Sequence, residues 1–177
     1  MKPGQLLLSL PLALTLLLTG CNAPTEPPQR SMSPQPAPDI TLHTLDGNDL
    51  NSAALKGKIV VLNFWSTWAP ACAREIPELV HLREQIANPD VLFLGVCLVS
   101  SDSEDVRKYV ANMKFNYPVA TAGNDLYEKF GGLDAIPSTL IISPDWQLVN
   151  RYTGKLRVED LKTELDYMQA ELKRSRK

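Results

Sequence analysis

Past Asp39 the chain alternates short apolar runs with stripes at helical spacing. Ile40-Thr41-Leu42, followed by Asp46-Gly47, predicts an opening hairpin with its turn at the Asp-Gly pair. Lys58 to Ser66 (KIVVLNFWS) and Val91 to Val99 (VLFLGVCLV) are near-continuous apolar runs. Strands covered on both faces read this way. Between them, Ile76, Leu79, Val80 and Leu82 share one helical face, so a helix extends to about Ala87 with Pro70 in its first turn. Ser101-x-x-Glu104 is a capping-box pattern that starts a second helix, burying Val106, Tyr109, Val110 and Met113. Leu126 to Phe130 forms a short helix closed by Gly131-Gly132. Thr139 to Ser143 is a third strand, and Pro144-Asp145 turns the chain into a fourth at Gln147 to Tyr152. A last helix carries Leu161, Leu165, Met168 and Leu172 as one stripe. The order β-α-β-α-β-β-α predicts an α/β domain, a central mixed sheet flanked by helices with an N-terminal hairpin.

The residues before this domain follow other rules. Leu6 to Leu18 is leucine-rich, broken by Pro11, and short of the roughly 20 apolar residues that cross a bilayer. Lys2 precedes it, and Leu18-Thr19-Gly20-Cys21 closes it in a pattern that resembles the lipobox of bacterial lipoproteins. This predicts a signal peptide over 1–20, a lipidated Cys21 and stable membrane anchoring. The plainer alternative is a secretory signal in which Cys21 is incidental. Asn22, rather than Asp, after the lipid cysteine implies delivery to the outer membrane in a two-membrane organism, facing the periplasm. Pro24, Pro27, Pro28, Pro34, Pro36 and Pro38 make 21–38 a semi-extended tether, at ~3 Å per residue where it is polyproline II. One folded domain then occupies 39–174, with a basic tail at 175–177.

Composition removes several classes. The 177 residues are 44% hydrophobic and 21% charged with formal net charge −2, an ordinary globular balance. No basic patch with interleaved aromatics is present, so nucleic acid is not expected as a partner. His43 and His81 are far apart, with no second Cys or His at ligand spacing, so no metal site and no cofactor are expected.

The segment Phe64-Trp65-Ser66-Thr67-Trp68-Ala69-Pro70-Ala71-Cys72-Ala73-Arg74-Glu75-Ile76-Pro77-Glu78-Leu79 carries the functional reading. It resembles the active-site segment F-W-A-T-W-C-x-P-C-x-x-E-x-P-x-L of TlpA/ResA-like thioredoxin-fold proteins, the redoxins. The resemblance extends over most of Asp39 to Leu172 and includes Phe115-x-Tyr117-Pro118 and Ile136-Pro137-Ser138-Thr139-Leu140-Ile141-Ile142. It implies a thioredoxin-like fold and thiol–disulfide exchange on extracytoplasmic protein thiols and disulfides, such as those of apocytochromes. In that family the first cysteine attacks and the second resolves. Here the attacking position is Ala69 and only Cys72 is left.

The resemblance implies further roles. Glu75 matches the family's active-site acid, and Ile136-Pro137 matches the cis-proline turn beside the site. Trp68, Pro70, Ile136 and Pro137 are the expected substrate-contacting residues. A thiol at a helix N-terminus is activated by the helix dipole. Cys72 sits one turn further in, and at an unperturbed pKa near 8.5 only about 3% would be thiolate at pH 7. Glu75, on the same helix face, adds like-charge repulsion. Cys97, mid-strand, is either a buried small hydrophobe or a disulfide partner for Cys72. Whether the chain is an enzyme therefore stays open between three readings: an impaired thiol–disulfide oxidoreductase, a non-catalytic peptide-binding module, and a one-cysteine peroxidase. The last rests on Cys72-x-x-Glu75-Ile76. It is weakened because Ala69 stands where peroxiredoxins have a threonine, and no arginine lies near Ser138-Thr139.

Overall fold

The computed structural model describes residues 30–98, 103–132 and 135–176. In chain order the strands are β1 (Gln35–Pro36), β2 (Thr41–His43), β3 (Asp49–Asn51), β4 (Ile59–Trp65), β5 (Val91–Leu98), β6 (Val119–Ala122), β7 (Ser138–Ile142) and β8 (Gln147–Thr153). The helices are α1 (Ser52–Leu55), α2 (Pro70–Gln85), α3 (Ser103–Asn112), α4 (Asn124–Lys129) and α5 (Val158–Ser175). Six strands form one mixed sheet in the order β1-β8-β7-β4-β5-β6, while β2 and β3 form a separate hairpin. The hairpin docks on the sheet edge through a Thr44–Ala120 bridge and a Leu45 N–H to Val119 carbonyl bond of 2.7 Å.

β4 lies inside the sheet, parallel to β5 and antiparallel to β7, and every one of its residues is buried. Alternate side chains serve two cores, as the strand pleat requires. Val60, Leu62 and Phe64 join Leu94, Val96, Leu140, Leu126 and Phe130 on one face. Ile59 and Val61 join Phe93, Leu79, Leu82, Leu161 and Leu165 beneath α2 and α5 on the other. Burying such side chains is worth about 1.5–3 kcal/mol each. This explains why both central runs are apolar without alternation.

Several expectations are corrected. The proline-rich stretch does not stay a tether to Pro38: Gln35 and Pro36 pair antiparallel with Leu148 and Gln147, and Ala37 is buried. Proline lacks an N–H, so it is tolerated at a sheet edge. β6 was not anticipated. Its sequence, VATA, carries no long aliphatic run, and pairing with β5 creates it. The short α1 was also missed; Asn51 caps it by accepting from Ala54 N–H at 3.0 Å. The expected capping residue Ser101, like the leader and Cys21, lies outside the described residues.

Candidate active site

β4 delivers the chain to the site and ends at Trp65, whose indole is fully buried. Tyr109 stacks on it with ring centroids 5.4 Å apart, and Phe115 packs at 5.2 Å. Gly95 on β5 makes room for it: a Cβ there would come within 3.1 Å of the indole nitrogen. Four residues later Ala69 takes the N-cap position of α2 in an extended conformation, with no side-chain cap. Pro70 follows in the first turn, where its missing N–H costs nothing. Trp68, just before Ala69, is 73% exposed.

Cys72 is in the first turn of α2, its N–H bonded to the Ala69 carbonyl at 3.0 Å, and its side chain is fully buried. Burial pushes its thiol pKa up, a bond from the Ser66 backbone opposes that, and the nearby Glu75 charge pushes it further up. The helix N-terminus therefore does not leave Cys72 activated, because desolvation outweighs the favourable amides. Cys97, on β5 beside Trp65, is equally buried. Burial raises its pKa to about 12, against a bond from the Thr67 backbone. Both thiols are free, and both belong to one cluster with Trp65, Ala69, Ile76, Val106 and Val119.

Glu75 is 7% exposed rather than an open first-turn acid. Its Oε1 accepts from Asn63 Nδ2 at 3.0 Å and from the Thr139 hydroxyl at 3.3 Å, and Asn63 Nδ2 also donates to Thr139 Oγ1 at 2.9 Å. Burial raises its pKa to about 7, with the Leu156 backbone, Thr139 and Asn63 all pulling it down. Asn63 and Thr139 escaped the sequence reading. The available signal was a lone polar residue, Asn63, in the otherwise apolar β4, and a buried Ser138-Thr139 pair opening β7. A cavity of about 340 Å³ opens beside the carboxyl, lined by Ala71, Arg74, Glu78, Gly154, Lys155 and Leu156.

The Ile136–Pro137 bond is cis. Pro137 is held by its carbonyl, which accepts the Gly154 N–H at 2.9 Å, and Ile136 packs against the cluster that contains Ala69 and Cys72. The structure thus gathers Ala69, Cys72, Glu75, Ile136 and Pro137 at the C-terminal end of β4, with Trp68 at the rim. His43 instead pairs with Asp49 at 2.5 Å, and His81 lies 3.7 Å from Glu84, both remote on the surface. Among the described residues no group of three or more His, Cys, Asp or Glu is placed to hold a metal ion.

A family model described as Redoxin matches residues 32–167. The chain belongs to the redoxin family. Among its relatives, the thiol-disulfide oxidoreductase ResA of Geobacillus thermodenitrificans is 29% identical over 130 residues, covering 73% of this chain and 74% of that one. The thioredoxin-like protein YneN of Bacillus subtilis is 25% identical over 133 residues, 75% of this redoxin and 78% of the relative. A thioredoxin-family thiol:disulfide interchange protein from Chlorobium tepidum superposes with a TM-score of 0.66 at 28% identity, covering 78% of this chain and 97% of that one. The fold is thioredoxin-like.

Proposed function

We propose that this redoxin is an extracytoplasmic, lipid-anchored thiol–disulfide protein of the TlpA/ResA kind whose catalytic turnover is curtailed by Ala69. The observation that carries the reading is the arrangement at the start of α2: Cys72 in the first turn, Glu75 buried one turn on, the cis Ile136–Pro137 turn packed against them, and a methyl group where an attacking thiol belongs. Trp68, Pro70, Ile136 and Pro137 form the contact surface for an extended segment of a partner protein, a mode in which pockets and backbone share the recognition. Glu75, titrating near neutrality, is the group that takes or returns the Cys72 proton. The similarity to proteins named thiol-disulfide oxidoreductases supports the chemistry.

Insulin disulfide reduction with dithiothreitol as electron donor tests this reading. The protein as it stands should be indistinguishable from the blank, and Ala69→Cys should reduce insulin at least tenfold above it. An Ala69→Cys variant that is folded but inactive would mean the site is no redox scaffold. The second reading, a binding module without turnover, is favoured by the complete burial of Cys72. It would take over in that event.

A further inference from the structure

We propose that Cys72 and Cys97 form an internal disulfide, so that the chain keeps a two-electron redox couple built between α2 and β5. The proposal rests on the reading of Cys72 as the surviving exchange thiol, and it gives Cys97, which that reading leaves idle, a part in the chemistry.

Four observations converge on the pair. Both side chains are fully buried in the same small cluster, together with Ala69 and Trp65. Cys97 stands opposite Trp65 in the parallel β4–β5 register, so its Cα is one strand spacing, about 4.8 Å, from the residue that leads into the site. The backbone at Ser66 and Thr67, successive positions of the β4–α2 loop, acts to lower the thiol pKa of Cys72 and Cys97 respectively. Tyr109 packs against the cluster that holds both. The described part of the cluster therefore holds two thiols and no third cysteine. The small Ala69 side chain leaves no competing sulfur at the helix start.

The step balances as ordinary exchange. A Cys72 thiolate attacks one sulfur of a disulfide R–S–S–R, forming Cys72–S–S–R and releasing RS⁻. The Cys97 sulfur then attacks the Cys72 sulfur, releasing the second RS⁻. The two thiol protons end on the two leaving groups, giving two RSH. The protein dithiol loses two electrons and the disulfide gains them. Cys72 is the first attacker because it sits in the first turn of α2, next to the exposed Trp68, whereas Cys97 lies within β5. Burial of the product hides it from large substrates such as insulin. The couple thus acts as a slow two-electron donor to small or extended disulfides, not as a turnover catalyst.

The experiment is to reduce the full-length protein carrying Cys21→Ser, so that Cys72 and Cys97 are its only thiols, remove reductant under nitrogen, and add excess oxidised glutathione at pH 8. Intact mass and peptide mapping follow, alongside Cys97→Ala and Cys72→Ala in the same background. The expected product of this parent chain is two hydrogens lighter than the reduced chain, carries no glutathione, and maps to a Cys72–Cys97 crosslink. Cys97→Ala should instead hold glutathione stably on Cys72, and Cys72→Ala should not react. Persistent glutathione on Cys72 of the parent chain would overturn the pair while leaving Cys72 as an exchange thiol. A disulfide-linked dimer would overturn it in the same way. No reaction until denaturant is added would overturn both the pair and the exchange reading.

Discussion

At the scale of single residues, Glu75 is the most consequential group in the site. Its carboxyl is buried among Asn63, Thr139 and the Leu156 backbone, and burial lifts its pKa from 4.5 to about 7. A raised carboxyl means that the folded protein binds more protons than the unfolded chain between those two values, so stability falls as pH rises through that window. Below pH 4.5 the penalty is absent; above pH 7 it is complete, on the order of 3 kcal/mol. Glu75→Gln keeps the acceptor oxygen and removes the charge. Urea unfolding at pH 5 and pH 8 should show wild type losing stability over that interval and Glu75→Gln losing much less. The same variant lifts the like-charge pressure on Cys72, so its alkylation at pH 8 should be faster than in wild type, with the rate read by mass spectrometry. An unchanged rate would mean that desolvation alone holds the thiol back. The positions of Ala69 and Cys72 at the start of α2 could be read from the motif because they lie within one turn of each other. The partners of Glu75 could not, since Asn63 and Thr139 are 12 and 64 residues away in sequence.

Among the elements, β1 and the residues before it change how the domain must be handled. Arg30 Nε approaches Glu164 Oε1 at 3.6 Å, and the fully buried Glu164 also accepts from Asn150 Nδ2 at 2.7 Å and the Tyr152 hydroxyl at 2.8 Å. Ser31 bonds Asn150 Oδ1 through both its N–H and its hydroxyl. Further along, Trp146 Nε1 donates to the Pro38 carbonyl, and Ala37 N–H to the Trp146 carbonyl. Each such bond contributes about 1 kcal/mol, and breaking a buried ion pair costs more. A protein begun at Asp39 should therefore be about 2–4 kcal/mol less stable than one begun before Arg30, as measured by the urea midpoint at constant m-value. Equal midpoints would show that the strap is ornamental. Proline count argued for a tether here. What it could not convey is that an edge strand needs no donor from Pro36 while β8 still needs covering.

For the whole molecule, one question is where the domain is held. Among the described residues no helix is long and apolar enough to cross a membrane. The anchoring proposal therefore rests on Cys21 and its lipobox. Cys21→Ser should move the protein from the membrane pellet to the soluble fraction and abolish incorporation of labelled palmitate. A wild-type chain that is already soluble and unlabelled would remove the anchor. The exposed Trp68 makes a complementary point, since Trp68→Ser should change the unfolding midpoint by less than about 0.5 kcal/mol while weakening capture of a partner peptide.

The sequence by itself determined the α/β order, the four main strands, both long helices and the turn that leads from β4 into α2. These depend on local periodicity and on residues within one turn of each other. Tertiary structure decided what depends on distant neighbours. β6 and β1 exist because β5 and β8 offer them unpaired edges. Cys72 and Cys97 share a cluster because the parallel register sets Cys97 against Trp65. Glu75 became a neutral-pH acid because β4, β7 and the start of α5's approach at Leu156 close over it. Burial is a property of the assembled layers, and desolvation follows burial, so the ionisation of these groups could not be read from the chain alone.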